Sequence, residues 1–415
     1  MNLLKSVNEC LELLPPAPII ALHSACAEPQ SLLEGLVGVL RSGVTPLSGA
    51  TLYALTYRGA GSPPPLYADT VLLGEGKLHL KSFFPHPSLR HAAHAGLVDY
   101  VPASFSTVPG LIRRGYLKLD AAFLQVSVPD AEGYCSLGPS ADYAEALVDS
   151  VPLLIAEMNH QMPRINGLRV HIDRFAAVIE SDRPLLEVPP LEAGDLERRV
   201  AVNVASLIGD GATVQLGVGT VPEQVARLLK SHRNLGIHGG AITDPLIELL
   251  ESGAVTNQNK PFDKGKSVTA LLIGTQRLFD YAHEHPAIEL QGIDVANNPA
   301  HIAQLPNFVS VNSAIEVDYW GQVNAEAVGD WQLAGVGGQL DYVIGAWGAE
   351  NGLSIIALPS VTAKGHPRIV PHLKASTPVS TPRHLAQIIV TENGIADLRG
   401  KSLSERKNLL MQLIS

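Results

Sequence analysis

Short apolar runs that alternate with helical patterns along the whole chain constrain its fold more than any other feature. Pro18 to Leu22 is followed by the amphipathic stretch Pro29 to Leu40, in which Leu32, Leu33, Leu36 and Leu40 share one face, and then by Ala50 to Tyr57. Further strand candidates are Thr70 to Leu73, Leu78 to Phe84, Tyr100 to Phe105, Ala121 to Val128 and Leu153 to Met158. Such alternation is the signature of an α/β layer arrangement. Most of the runs are apolar at successive positions rather than at every second one, which is how strands read when helices cover both faces of a parallel sheet. The expected fold class is therefore α/β, built on largely parallel sheets flanked by helices.

With 415 residues the chain is too long for one ordinary core, so two domains are expected. The stretch Ser181 to Asp195, S-D-R-P-L-L-E-V-P-P-L-E-A-G-D, is rich in Pro and acids and has no periodicity, as a domain connector does. It divides the chain into 1–185 and 186–415. A composition of 46% apolar and 17% charged residues fits a globular protein, and a formal charge of −10 argues against nucleic acid as a main partner, since phosphate binding relies on clustered Lys and Arg. Cys10, Cys26 and Cys135 lack metal-ligand spacing and cannot pair evenly, so no metal is expected and a reducing, cytoplasmic setting is. Pro18 to Ala27 ends in S-A-C-A and faintly resembles a cleavage site, but Glu9, Glu12, Pro15, Pro16 and His23 favour a strand entering a helix. No apolar run is long enough to span a bilayer, so no membrane partner is expected.

Three turns in the first half follow strands and mix acids, bases and Gly or Pro: Ala27-Glu28-Pro29, Pro85 to His91, and Val128 to Ser140. Loops at the carboxyl ends of parallel strands bind ligands, although simple turn chemistry explains each of them equally well. In the second half a strand, Thr213 to Val218, runs into Gly217-Val-Gly219-Thr-Val-Pro222, with Pro222 expected at a first helical position. A strand, a glycine turn and a helix amino terminus make an anion pocket, because unpaired backbone N–H groups and the helix dipole meet there. A dinucleotide fingerprint would need a third glycine at 222 and an acid ending the next strand, which instead reads Leu235-Gly-Ile-His-Gly-Gly240. A nicotinamide enzyme is not expected.

The stretch Val309 to Ala346 begins as a strand and passes through Gly335-Val-Gly337-Gly338 into the apolar segment Tyr342-Val-Ile. Between these ends, Asn312, Glu316, Asp318, Gln322, Asn324 and Glu326 are interleaved with β-branched and aromatic residues. Such neighbours drive burial, and buried polar groups need partners, so the stretch reads as the wall of a site. Further on lie the loop Glu392 to Gly400 and a last helix, with Ser402 and Glu405 matching a capping box.

G-V-G-T-V-P at 217–222, L-G-I-H at 235–238, N-S-A-I-E-V-D-Y-W-G-Q-V-N-A-E at 312–326, G-V-G-G-Q-L-D at 335–341 and V-T-E-N-G-I-A-D-L-R-G at 390–400 together resemble the acetyl-CoA hydrolase/transferase family, nearest its 4-hydroxybutyrate CoA-transferase branch. A-E-P at 27–29, P-S-L-R at 87–90 and V-P-D-A-E-G-Y-C-S-L-G at 128–138 extend the likeness over nearly the whole chain. The resemblance implies two α/β domains of similar fold with an active site in the cleft between them, coenzyme A as acyl-CoA substrate, a small carboxylate or other acyl acceptor, and a homodimer or higher assembly. It implies that Glu392 and Asn324 are active-site residues, that the Gly337-Gly338 backbone carries the thioester oxyanion, and that Gly217, Gly219, Gly335 and Gln339 hold CoA.

In that family a glutamate attacks the thioester, becomes an acyl anhydride and then holds CoA as a glutamyl thioester. One residue separates it from L-G-I-H, and here Gly240 stands in its place. Three readings follow. The catalytic carboxylate comes from elsewhere, with Glu392 and Glu28 as candidates; or the site handles acyl-CoA without a covalent glutamate, by hydrolysis, transfer or lyase chemistry; or the chain binds acyl-CoA without turnover. Several groups also have structural readings. Glu392 could pair with Arg399 across a turn, Asn324 could brace a bend, Glu316 and Asp318 satisfy loop backbone, His238 reads as a hydrogen-bonded core histidine rather than a base, and Arg113-Arg114 fits an exposed helix face as well as CoA phosphates.

Overall fold

The computed structural model describes residues 4–43, 47–58 and 62–414. The chain forms two compact units: Met1–Ala103 with Thr107–Pro189 and Ala270–Asp294, and Ser104–Ser106 with Pro190–Thr269 and Val295–Ser415.

The first unit is built on a seven-stranded sheet whose order, from one edge, is Val98–Tyr100, Leu78–Phe84, Ala50–Leu55, Ile19–Leu22, Ala121–Val126, Leu153–Asn159 and Ala177–Ser181. Every pairing is parallel. Ala121–Val126 is buried at all its positions, as a strand covered on both faces must be. The helix Gln30–Ser42 buries Leu32, Leu33, Leu36, Val37 and Leu40 and ends at Gly43, whose φ of 65° is the left-handed cap that glycine adopts without strain. Its stripe joins Ile20, Leu22, Leu52, Leu80 and Phe123 in one core.

Two strand expectations in this unit fail for local reasons. Thr70 to Leu73 lies in a helix, Thr70–Gly74, because the Asp69 carboxylate accepts the N–H groups of Val71 and Leu72 and caps it. An apolar run this short does not reveal its own period. Tyr100 to Phe105 is strand only up to Tyr100, since Pro102 has no N–H to give to a ladder.

The second unit has a six-stranded sheet in the order Gly236–Ile237, Thr213–Leu216, Phe308–Ser313, Leu353–Ala357, Ile388–Thr391 and Gly394–Asp397. The first five strands are parallel and the sixth is antiparallel, so Glu392 to Gly400, expected as loop, contains a hairpin strand. The helix after the Gly217–Gly219 turn begins at Thr220, which makes Pro222 its third residue rather than its first. Proline is tolerated there because first-turn N–H groups have no intrahelical acceptor. The capping box of Ser402 and Glu405 forms. No helix among the described residues is long and apolar enough to cross a membrane.

Candidate active site

In the second unit, three glycine-bearing segments lie at the carboxyl ends of parallel strands or at helix starts. The first is Gly217–Gly219. A Cβ on Gly217 would meet Asn312 Oδ1 and the Val311 carbonyl, each at 3.3 Å, so only glycine lets the turn lie this close to the neighbouring strand. Asn312 and Gln215 exchange side-chain hydrogen bonds of 3.0 and 3.3 Å beneath it. Gly219 caps the helix Thr220–Leu228, and the first turn of that helix carries Glu223, a buried carboxyl whose Oε2 has no hydrogen-bond partner. Burial pushes Glu223 up to about 7, with Arg227 pulling it down and Asp244 pushing it further up.

The second segment is His238-Gly239-Gly240. Leu216 and Ile237 end parallel strands side by side, which brings Gly239 against Gln215; a Cβ there would lie 3.3 Å from Gln215 Cγ. His238 Nε2 lies 3.0 Å from the Ala296 carbonyl and, a carbonyl being only an acceptor, must donate. Burial, with Lys260 nearby, lowers the ring to about 3, so His238 is a neutral, hydrogen-bonded core histidine. At Gly240 a Cβ would lie 3.2 Å from both Asn297 Oδ1 and Tyr342 Oη.

The third segment is Gly335–Gly338. Gly337 has φ of 60°, and its carbonyl accepts the Phe105 N–H at 3.0 Å. Gly338 caps the helix Gln339–Gly348, and a Cβ on it would fall 2.2 Å from Asn297 Nδ2. Gln339 donates to Thr381 Oγ1 at 3.1 Å. Gly335 follows Ala334, whose N–H is held by the Glu326 carbonyl at 3.0 Å.

Gly240 and Gly338 therefore share one neighbour, Asn297, which is itself held on two sides. Tyr342 Oη donates to Asn297 Oδ1 at 2.5 Å, and the Asn297 amide lies close enough to the Asp341 carboxyl to favour its charged form. Asp341 also accepts from Ser106, from Oγ at 2.7 Å and from N at 3.3 Å. Burial raises Asp341 to about 6 against these hydrogen bonds. Asn297, Asp341 and Tyr342 were not singled out by sequence reasoning. Asp341 closes the G-V-G-G-Q-L-D motif, and Asn297 stands in the polar run Asn297-Asn298-Pro299, but nothing local ties either to Gly240.

Of the remaining expected residues, Asn324 and Asp318 make most of their hydrogen bonds within their own loop. Asn324 Oδ1 accepts the N–H groups of Glu326 and Ala327 at 3.0 and 3.1 Å, and Nδ2 donates to Glu316 and to the Ala327 carbonyl at 3.2 and 2.7 Å. Asp318 accepts from the backbone of Trp320 and Gln322. The Glu392 carboxylate accepts Ser360 N–H at 2.9 Å and Ser360 Oγ at 2.6 Å, and the Arg368 guanidinium is near enough to feel its charge. Arg399, the partner considered for Glu392, pairs instead with Asp397 at 2.7 Å. Arg113 pairs with Asp294 and Glu145 on its own unit. Glu28, in the first unit, is buried against Arg58, Tyr67 and Gln30. No group of acids, histidines and cysteines able to hold a metal occurs among the described residues.

Comparison with known proteins matches residues 2–188 to the N-terminal domain and residues 274–415 to the C-terminal domain of acetyl-CoA hydrolase/transferase. The chain is 41% identical over 354 residues to the 4-hydroxybutyrate coenzyme A transferase of Clostridium kluyveri, covering 83% of this chain and 82% of the relative. It is 37% identical over 343 residues to the succinyl-CoA:acetate/propanoyl-CoA:succinate CoA transferase of Fasciola hepatica, covering 82% and 72%. The crystal structure of RipA from Yersinia pestis superposes with a TM-score of 0.92 at 34% identity, covering 99% of this chain and 94% of that one.

Proposed function

Starting from a chain that belongs to the acetyl-CoA hydrolase/transferase family, and so is an enzyme of CoA-transferase type, we propose that it moves CoA or acyl groups between a CoA thioester and a carboxylate or other acceptor without a glutamyl-CoA intermediate. The observation that carries this reading is Gly240. The position where the family resemblance places the attacking glutamate offers no side chain, and its α-carbon faces Asn297 and Tyr342, neither of which is a carboxylate. Shifting a nucleophile by even about one ångström can cost on the order of a hundredfold in rate, so a carboxylate on another loop is a poor substitute.

The thioester carbonyl is received by the backbone N–H groups of the Gly337–Gly338 turn, where such donors contribute roughly 3–4 kcal/mol to the transition state. The Gly217–Gly219 turn, Gly335 and Gln339 hold the CoA moiety, Glu392 orders the acceptor, and Asn324 keeps its own loop in shape. The acceptor carboxylate itself attacks the carbonyl. The C–S bond breaks, CoA leaves as thiolate and a mixed anhydride remains; the thiolate then attacks the acceptor's carbonyl, forming the new thioester and releasing the first acid. Both substrates must be present together, so the kinetics are sequential and not ping-pong.

The test is turnover of an acyl-CoA panel with and without acetate, followed by borohydride reduction and intact-mass measurement. Thioester consumption with intersecting initial-rate lines and no modified glutamate is expected. A borohydride-reduced glutamate with parallel lines overturns the proposal in favour of ordinary transferase chemistry, and absence of turnover on the whole panel overturns it in favour of a binder.

A further inference from the structure

Gly240 and Gly338 lie on segments 98 residues apart in sequence, yet a Cβ added to either one would run into the same side chain. Asn297 Oδ1 lies toward Gly240 and Asn297 Nδ2 against Gly338, so the carboxamide is wedged between the two segments. It is also unable to turn. Swapping its oxygen and nitrogen would take away the acceptor of the Tyr342 hydroxyl hydrogen and would turn an oxygen toward the Asp341 carboxylate. Asn297 is 1% exposed and Tyr342 2%, so water does not supply alternative partners.

We propose that Asn297 is a positioning residue which fixes the gap between the Gly239–Gly240 segment and the Gly337–Gly338 turn, and that Asp341 is the group that holds Asn297 in its working orientation. This inference rests on the proposed function for its kinetic readout, but its structural content is independent of that reading. Asp341 as carboxylate accepts from both donors of Ser106, and the adjacent Asn297 amide favours its charged form. Protonation replaces one acceptor site by a donor, and the Asn297 amide loses its fixed partner. The groups facing Asp341 are Ser106 from one segment, Asn297 from another and Tyr342 on its own helix. Among the described residues no Lys, Arg or His is ion-paired with Asp341, and the nearby His238 is neutral and bound to the Ala296 carbonyl. The carboxyl therefore titrates without a compensating cation.

Neither side chain touches the reacting carbonyl in this assignment. Their effect passes through the backbone amides of Gly337 and Gly338, and it alters rate more than affinity.

The experiment compares Asn297→Ala, Asp341→Asn and Tyr342→Phe with the unsubstituted enzyme in the acyl-CoA assay from pH 5 to pH 8, together with hydrogen exchange of peptides spanning 236–243 and 335–340. Asn297→Ala should lower kcat by roughly a hundredfold, as misplacement by about an ångström does, and leave KM within about threefold. The kcat of the unsubstituted enzyme should fall below an inflection near pH 6, and Asp341→Asn should lack that inflection. Tyr342→Phe removes one hydroxyl and keeps the ring, so it tests the clamp even if Asn297→Ala fails to fold; a loss of kcat of about tenfold at unchanged melting temperature is expected. Wild-type kcat in Tyr342→Phe, or an unchanged pH profile in Asp341→Asn, overturns the proposal. If the unsubstituted enzyme turns over no acyl-CoA, the functional reading has failed and hydrogen exchange alone decides: faster exchange in both peptides of a folded variant supports the clamp, and unchanged exchange in both overturns it.

Discussion

The hydroxyl of Tyr342 donates to the carboxamide oxygen of Asn297 at 2.5 Å, and the two oxygens together face the α-carbon of Gly240. A hydrogen bond that joins residues 45 apart in sequence thus lies in tight contact with the point where a Cβ at position 240 would stand. Adding even a methyl group there brings it to 3.2 Å of both oxygens. Gly240→Ala should therefore destabilise the chain by about 1–3 kcal/mol, the usual cost of overpacking, as read from chemical denaturation. Gly240→Glu should be at least as destabilised and should not yield a borohydride-trappable adduct.

The Glu392 carboxylate accepts two hydrogen bonds from Ser360, and an amide in its place would turn an NH₂ group toward one of those donors. Glu392→Gln should cost about 1.5–3 kcal/mol of stability. If the acid orders the acceptor, acetate-dependent exchange should fall further than any thioester hydrolysis measured in the same preparation.

Glu223 gives the stability curve a specific pH dependence. Its value is about 7 in the fold against 4.5 when unperturbed, because burial disfavours the charged form. The folded state therefore binds the proton more tightly. The associated stability is complete below about 4.5 and is lost as pH rises through about 7. Glu223→Gln removes this titration, so the fall in unfolding free energy between pH 5 and pH 8 should shrink by roughly 2–3 kcal/mol.

In the first unit, Glu28 and Arg58 form a buried ion pair that Tyr67 and Gln30 support through Glu28. Removing one partner leaves a charge with neither water nor a counter-ion. Arg58→Met should cost about 3–5 kcal/mol, and the double variant Glu28→Gln with Arg58→Met should recover part of that loss, since a buried pair costs most when half of it remains. Thermal and denaturant midpoints of the two variants and the unsubstituted chain check this.

The layer architecture was legible because burial on both faces leaves a direct mark on composition. Ala121–Val126 and Phe308–Ser313 read as strands since nearly every position in them is buried. Local signals with a stereochemical cause also held, such as the capping box at Ser402 and Glu405. Thr70 to Leu73 did not, because the Asp69 cap outweighs a short run of apolar residues with no clear period. Of the candidate site, the glycine turns were visible in sequence but their shared neighbour was not. Ser106 and Asp341 are 235 residues apart, and no periodicity or spacing reports a contact made only when distant segments fold together. The polar stretch after Val309 was legible as a set of groups needing partners, yet Asn324 and Asp318 find most of theirs within a few residues.

The segment Ala270–Asp294 belongs to the first unit although it follows a long stretch of the second, Pro190–Thr269. It is tied in by backbone hydrogen bonds from Ala141 to Ala270, from Leu272 to Pro139, from Glu284 to Arg164 and from Leu290 to Asn166. A nascent chain leaving the ribosome therefore cannot finish its amino-terminal body when the connector near residue 190 emerges. The last pieces of that body arrive only after about two-fifths of its companion has been synthesised, so neither half is a contiguous stretch that a single cut, or a pause in translation, could release intact.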